Sequence, residues 1–535
     1  MTDLNATSDA STPSGPWRAS ALLFLVVTIF SLPQAALMPL LDRDEPRFAE
    51  ASREMLQSGN FTVPTFNHAP RYAKPPLIYW CQAACFTVFG ENALAARLPS
   101  VAATAGTAAL LLVWGTELGS VCIGTIAGLA YAFCLQTVQQ GRVATADGLL
   151  IFFMTLTAYA GWKLLVLSRR YYDRNSPSAY HYRQWNGWGA VLALGFAGGF
   201  LAKGPEALLP ILPLLVTARH SNPLTLWMDT KSFSLLLTEK GHSKQGTTPC
   251  FCAIFLLGLF IASFWAIPAY IESHGDYWRI GLSEGIGQRA VTGLQGHGAT
   301  TFGWYLADLP YYLLFFWLSA LPWSPLLVTH RKRLFTGWKP DAAEVYLMLN
   351  AGLIFIVFTL IATKLPHYTL PAFPFLTLLL ARRWTAAGLH PALPTQLAGG
   401  LGLALALLTA VLVPIALANG LTPSPVGSLV QEAQGAITPG THFALVDFEE
   451  PNAIWEMRRA TEAYADSIPA EGVISYLNEA GPRAVVLSTA RWEQLAGQSD
   501  PAWKTFRASG WNTAKGVDSA KGSLALIDLT LVVKE

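Results

Sequence analysis

The chain has 535 residues, 52% of them hydrophobic and only 13% charged, against about 25% charged in an ordinary soluble domain. So much apolar side chain under so little charge excludes a soluble enzyme, a disordered protein and a secreted disulfide scaffold, and a net charge of +2 gives no basic field for nucleic acid. The 44 Gly, 34 Pro and 18 Trp suit membrane helices and their interfacial belts. The six cysteines lie in or beside apolar runs and read as small buried hydrophobes.

In chain order, residues 1–18 read as a polar, disordered cytoplasmic tail. A spanning helix needs roughly 20 mostly apolar residues. The first such run, 19–40, is too long for a signal-peptide core and is read as an uncleaved span. Others follow at 98–117, 121–138, 148–167, 187–202, 205–218, 250–272, 303–327, 344–362, 366–381 and 395–418. The expected fold class is a polytopic α-helical membrane protein of about eleven transmembrane helices, forming a module over 19–419.

Basic residues set orientation. They cluster as Arg169, Arg170, Arg174 and Arg183; as Arg219, Lys231, Lys240 and Lys244; as Arg331, Lys332 and Arg333; and as Arg382 and Arg383. With eleven spans and a cytoplasmic N-terminus, all four clusters are cytoplasmic, and the loop 41–97 and the C-terminus lie outside. This scheme holds only if the short apolar stretch 77–90 does not cross. It is therefore read as an interfacial helix with Tyr79, Trp80 and Phe89 at headgroup level. After Gly420 the chain turns polar, with strand-like runs at 442–448, 483–488 and 523–533 and helical patterns at 450–465 and 469–480. Residues 420–535 are expected to form a small periplasmic α/β domain.

The first outer loop holds a concentration of ionisable residues, DRDEPRFAEASREM at 42–55. Pro46 fits the first turn of a helix, with Asp44 or Glu45 as cap. Phe48, Ala51, Met55 and Leu56 then share one face, and Arg47, Glu50, Arg53 and Glu54 the other, as in a short amphipathic helix on the membrane surface. Asp44 is either an N-cap or a carboxylate aimed into a cavity, where it orients or deprotonates an acceptor. Lys74, held extended before Pro75 and Pro76, either snorkels to the interface or holds a lipid phosphate as a point charge.

These loop motifs, with NFTVPTFN (60–67) and YAKPPLIYW (72–80), resemble the first outer loop of bacterial glycosyltransferases of the GT-C fold, the aminoarabinose transferases of lipid A and the protein O-mannosyltransferases among them. The resemblance continues through AARLPS (95–100), GRVATADGLL (141–150), AKGPEALLP (202–210) and TKLPHYTLPAFPFLTLLLAR (363–382). It implies transfer of one sugar from an undecaprenyl (polyprenyl) phosphate donor to a lipid or glycan acceptor on the periplasmic side of the bacterial inner membrane. The favoured case is aminoarabinose or a hexose onto lipid A; the alternatives are a protein O-mannosyltransferase-like activity and a non-catalytic membrane protein or transporter. The family's essential acids fall on Asp44, beside Glu45, and on Asp147, and its phosphate-binding lysine falls on Lys74.

Arg47 is a plausible second phosphate ligand, because a guanidinium binds phosphate in two places. Arg142, Lys203, Glu284, Arg289, His297, Lys364, His367 and Tyr368 are further candidates for the cavity wall. The expected displacement needs no nucleotide, metal or other cofactor. Relatives often carry Glu before the KPP lysine; here the position is Ala73, so zinc is not expected.

Overall fold

A bilayer offers no partner to a backbone N–H or C=O, so apolar runs must close their hydrogen bonds internally as helices. The computed structural model describes residues 15–40, 44–173, 179–219, 247–283, 302–419, 425–438, 440–446, 451–461, 464–511 and 526–535. The chain runs through α1 (Gly15–Leu37), α2 (Asp44–Ser58), a two-stranded hairpin β1 (Thr65–Phe66) and β2 (Ala69–Pro70), α3 (Leu77–Phe89) and α4 (Ala93–Glu117). It continues as α5 (Val121–Ala132), α6 (Leu135–Gln140), α7 (Asp147–Asp173), α8 (Ala179–Lys203) and α9 (Ile211–Arg219). The long helices Thr247–Glu272, Ala342–Leu360 and Ala392–Ala418 follow, with shorter ones between them.

Among the described residues six helices are long and apolar enough to cross a membrane. A pair bent by 97°, Gly303–Ser319 and Trp323–Phe335, makes a seventh candidate. The chain is a multi-pass membrane protein. Each of the eleven predicted runs falls on helix, yet several are broken: 121–138 splits into α5 and α6, and 366–381 opens with a 3-10 turn, Pro366–Ala372. α4 and α5 meet backbone to backbone. A Cβ on Gly115 would lie 2.5 Å from Gly124 Cα, and one on Gly124 would lie 2.1 Å from the Leu112 carbonyl oxygen. Small residues let membrane helices approach this closely.

Three expectations are corrected. α1 begins at Gly15, so residues 15–18 are helical rather than tail; residues 1–14 lie outside the described residues, as do Arg174, Lys231, Lys240 and Lys244. Tyr79 is not at headgroup level: it is wholly buried and stacks on Phe48 with ring centroids 5.4 Å apart, whereas Phe89 is exposed. And α2 does not rest on the surface with a wet face, because Glu50 and Glu54 are as buried as Phe48 and Met55.

Residues 442–534 explain that last result. A mixed sheet of order β4-β3-β5-β7-β6 joins β3 (His442–Val446), β4 (Ala465–Ile468), β5 (Arg483–Ser488), β6 (Lys504–Trp511) and β7 (Leu526–Lys534). β3 runs parallel to β4 and β5, and β7 antiparallel to β5 and β6. Alternate residues feed two cores, Phe443, Leu445, Val486 and Leu531 on one face and Ala444, Val446, Val485 and Val532 on the other. The helix Pro451–Thr461 covers the first face and packs on α2. Asn67, at the tip of the β1–β2 hairpin, exchanges two hydrogen bonds with Ala465, of 2.8 and 2.9 Å. Trp455 packs on Phe86, and Arg458 donates to the Glu91 carbonyl at 2.9 Å. The polar face of α2 is therefore an inner surface between the helical bundle and the sheet.

Candidate active site

The site is built where α1 ends and α2 begins. Arg97, 3% exposed on the first turns of α4, donates to both oxygens of Glu45 at 2.7 and 2.6 Å. It also donates to the carbonyls of Ala35, Met38 and Pro39, capping the end of α1. Glu45 accepts a further bond, 2.8 Å, from the Ala144 N–H. One buried ion pair thus ties together α1, α2, α4 and the loop before α7. Glu45, expected beside the chemistry, is turned inward and fully engaged, while its neighbour Asp44 is exposed at the start of α2 with half-buried Arg47 on the same turn. Arg142 joins the buried group: its guanidinium donates to the Val138 carbonyl, and burial, with Arg97 nearby, pushes it down to about 10.

Asp147 opens α7 and accepts hydrogen bonds from Lys203 at 2.8 Å and from Thr145 Oγ1 at 3.0 Å. Lys203 ends α8. Gly204 follows with φ +83, a turn that glycine makes without strain, and it brings Glu206 back to lie 3.2 Å from Lys203 Nζ. Lys203 also faces the Tyr368 ring, 5.3 Å from its centroid. His367 lies within electrostatic reach of Asp147, Lys203, Asp44 and Glu206, so residues from α2, α7, α8 and the Pro366–Ala372 turn converge on one place.

Beside this cluster is a cavity of about 250 Å³, walled by Lys74, Lys203, Glu206, Trp265, Trp278 and Tyr368 among others. Its size is near the lower bound of ligand pockets, about 300 Å³. Tyr277 holds its rim: the hydroxyl donates to the Lys74 carbonyl, and the ring packs edge-on against Tyr72 and Trp265. The lining mixes aromatic rings with the charged side chains of Lys74, Lys203 and Glu206.

Other predicted residues fall elsewhere. Lys364 does not line the cavity; it donates to the carbonyls of Phe358, Thr359 and Ile361 and so caps the helix Ala342–Leu360. Glu284, Arg289 and His297 lie outside the described residues. Among the described residues no group of three His, Cys, Asp or Glu could hold a metal ion. Sequence reasoning passed over Arg97 and Glu206. Each had a signal: Arg97 is an arginine at the mouth of an apolar run, and Glu206 stands three residues after Lys203 across a Gly-Pro break.

Residues 18–273 match the family profile described as dolichyl-phosphate-mannose-protein mannosyltransferase. The undecaprenyl phosphate-alpha-4-amino-4-deoxy-L-arabinose arabinosyl transferase of Edwardsiella ictaluri is 27% identical over 371 residues, and that of Yersinia pestis 27% identical over 375. Each alignment covers 68% of this chain but 58% of the relative, so the chain spans less than two thirds of the curated relatives it matches. Among solved structures, ArnT from Cupriavidus metallidurans bound to undecaprenyl phosphate superposes with a TM-score of 0.69, covering 97% of this chain and 98% of that one at 15% identity. Its apo form gives 0.66, with 95% and 97% covered at 15% identity. The chain shares that fold, a GT-C membrane bundle carrying a small C-terminal sheet.

Proposed function

We propose that the chain is a membrane glycosyltransferase that moves one sugar from a polyprenyl phosphate, undecaprenyl phosphate in bacteria, to an envelope acceptor. The observation that carries this reading is the cavity in which Lys74 and Lys203 face aromatic rings beside Asp147. A lipid phosphate leaving group needs fixed cations where its charge develops. Lys74 supplies one, on a turn fixed by Tyr277, and half-buried Arg47, on the first turn of α2, is our candidate for another. The aromatic wall takes the first isoprene units. The acceptor oxygen attacks the anomeric carbon opposite the phosphate, the C–O bond to phosphate breaks, and undecaprenyl phosphate departs with the bonding pair. Asp44 orients the acceptor or takes its proton, and this single displacement inverts the anomeric centre.

We assign the side of the membrane from charge. The arginines Arg382 and Arg383 bond to Asp341 and to the Leu334 carbonyl, drawing two basic clusters together at one end of the bundle. The 3-10 turn Pro366–Ala372 and the helix Phe373–Ala386 lead from the site to these arginines and separate the two by roughly 20 Å at about 1.5–2 Å per residue. Basic ends face the cytoplasm, so the site and the sheet face the periplasm and the N-terminus the cytoplasm. The arabinosyl transferase relatives favour aminoarabinose as the sugar, and the motif resemblance favours lipid A as acceptor; the match to the mannosyltransferase family over 18–273 favours a protein hydroxyl as the second reading.

The test is release of undecaprenyl phosphate from its radiolabelled sugar derivative by purified protein in detergent, with lipid A or a Ser/Thr-rich peptide as acceptor. Acceptor-dependent release, lost in Asp44→Asn and Lys74→Ala, is expected. Release that survives both substitutions overturns the placement of the site, and no release from folded protein with any donor overturns the transferase reading.

A further inference from the structure

The cavity contains a carboxylate that the phosphate does not need. Glu206 sits in the same wall as Lys74 and Lys203, and a second anion beside a phosphate subsite repels the ligand. Pairing with Lys203 accounts for only one edge of it. Lys203 is already bonded to Asp147 at 2.8 Å and is almost wholly buried between the two acids. Glu206 Oε2 forms an ion pair with Lys203 Nζ at 3.2 Å and is itself shut off from solvent, but the side chain is still 27% exposed where it lines the cavity. A carboxylate with an open edge in a cavity can accept a hydrogen bond from a ligand, and such charge-assisted bonds are among the stronger ones. The backbone aims it there: the left-handed Gly204 packs near Pro75, its Cβ position 3.9 Å from Pro75 Cγ, so the turn bearing Glu206 is docked on the turn bearing Lys74.

We propose that Glu206 is a specificity-determining residue that reads the sugar of the donor, accepting a hydrogen bond from a ring hydroxyl or an ammonium group while Lys74 holds the phosphate. This rests on the transferase reading above. The lipid phosphate and the sugar are thereby recognised by opposite charges on two adjoining turns. An amino sugar gains most, because its cation offsets the negative charge that Glu206 adds to the cavity.

The experiment compares binding of two lipids, undecaprenyl phosphate and undecaprenyl phosphate carrying a sugar, to the full-length protein and to Glu206→Gln and Glu206→Asp. In Glu206→Gln the glycosylated lipid is expected to bind about tenfold or more weakly, the usual worth of a hydrogen bond to a charged group. Bare undecaprenyl phosphate is expected to bind equally or more tightly, and Glu206→Asp to recover part of the loss. Equal weakening of both lipids overturns the proposal, since Glu206 then only supports Lys203, and no change for either lipid overturns it as well. If neither lipid binds the unsubstituted protein, the transferase reading itself fails.

Discussion

Arg97 grips both oxygens of Glu45 while its other N–H groups hold the carbonyls at the end of α1. The exposed Asp44 is therefore placed by a buried neighbour one residue away, and of the pair Asp44-Glu45 it is Glu45 that is committed to the scaffold.

Breaking that pair leaves a buried charge alone, which costs about 3–5 kcal/mol. Glu45→Gln and Arg97→Met should each lower the thermal unfolding temperature in detergent and lower transfer with it. The double variant Glu45→Gln/Arg97→Met should be less destabilised than the sum of the two. Strict additivity would show that the two side chains do not work as a unit.

Lys74 and Asp44 should separate in steady-state kinetics. Lys74→Ala removes a fixed cation from the developing phosphate charge, and transfer should fall about 10²–10³-fold, with partial recovery in Lys74→Arg. Asp44→Asn should cost about 10²–10⁴-fold if the residue deprotonates a hydroxyl acceptor. The loss should be far smaller with an acceptor whose oxygen is already anionic, so comparing the two acceptors decides between base and orienting group.

Docking of the sheet on α2 should depend on pH. Burial raises Glu54 above its ordinary 4.5, against the hydrogen bonds from Thr65, Asn67 and His68, and burial likewise raises Glu50 against Arg53. A carboxyl raised in the folded state binds its proton more tightly there than in the unfolded chain. Stability should therefore increase as pH falls from neutral through the raised values and level off below about 4.5. Melting curves across that window should show the rise, and Glu54→Gln, a neutral copy of the protonated form, should flatten it.

Asn67→Ala removes the two bonds between the hairpin tip and Ala465. At about 0.5–1.5 kcal/mol each, their loss should speed hydrogen exchange in β4 and α2 together, while the membrane helices keep their protection. Faster exchange in β4 alone would show that α2 does not depend on the sheet.

The bundle was legible because apolar length is a one-dimensional signal, and even the broken runs 121–138 and 303–327 announced helix. Tyr79 was misplaced because an aromatic on a short apolar helix reads alike whether it faces lipid or the underside of α2. Glu50 was assigned to a wet face for the corresponding reason, since the helix Pro451–Thr461 that packs on α2 begins about 400 residues later, and Glu54 because the hairpin whose Thr65, Asn67 and His68 bond to it could not be read as folding back on α2. β6, absent from the expected strands, has polar residues at alternate exposed positions and lies at the sheet edge, where apolar alternation is weakest. Asp44 and Lys74 stood out through motif resemblance. Glu206 needed coordinates, because its meaning lies in the turn that returns it to Lys203.

The position of β7 carries a consequence for biogenesis. β7 lies inside the sheet, between β5 and β6, so the surface that seats α2 is incomplete until residue 534 has left the ribosome. The loop bearing Asp44 and Lys74 is synthesised long before that, with Glu50 not yet covered by the helix Pro451–Thr461. Synthesis thus delivers the two halves of the site's support at different times, and the loop sets only when β7 slides home.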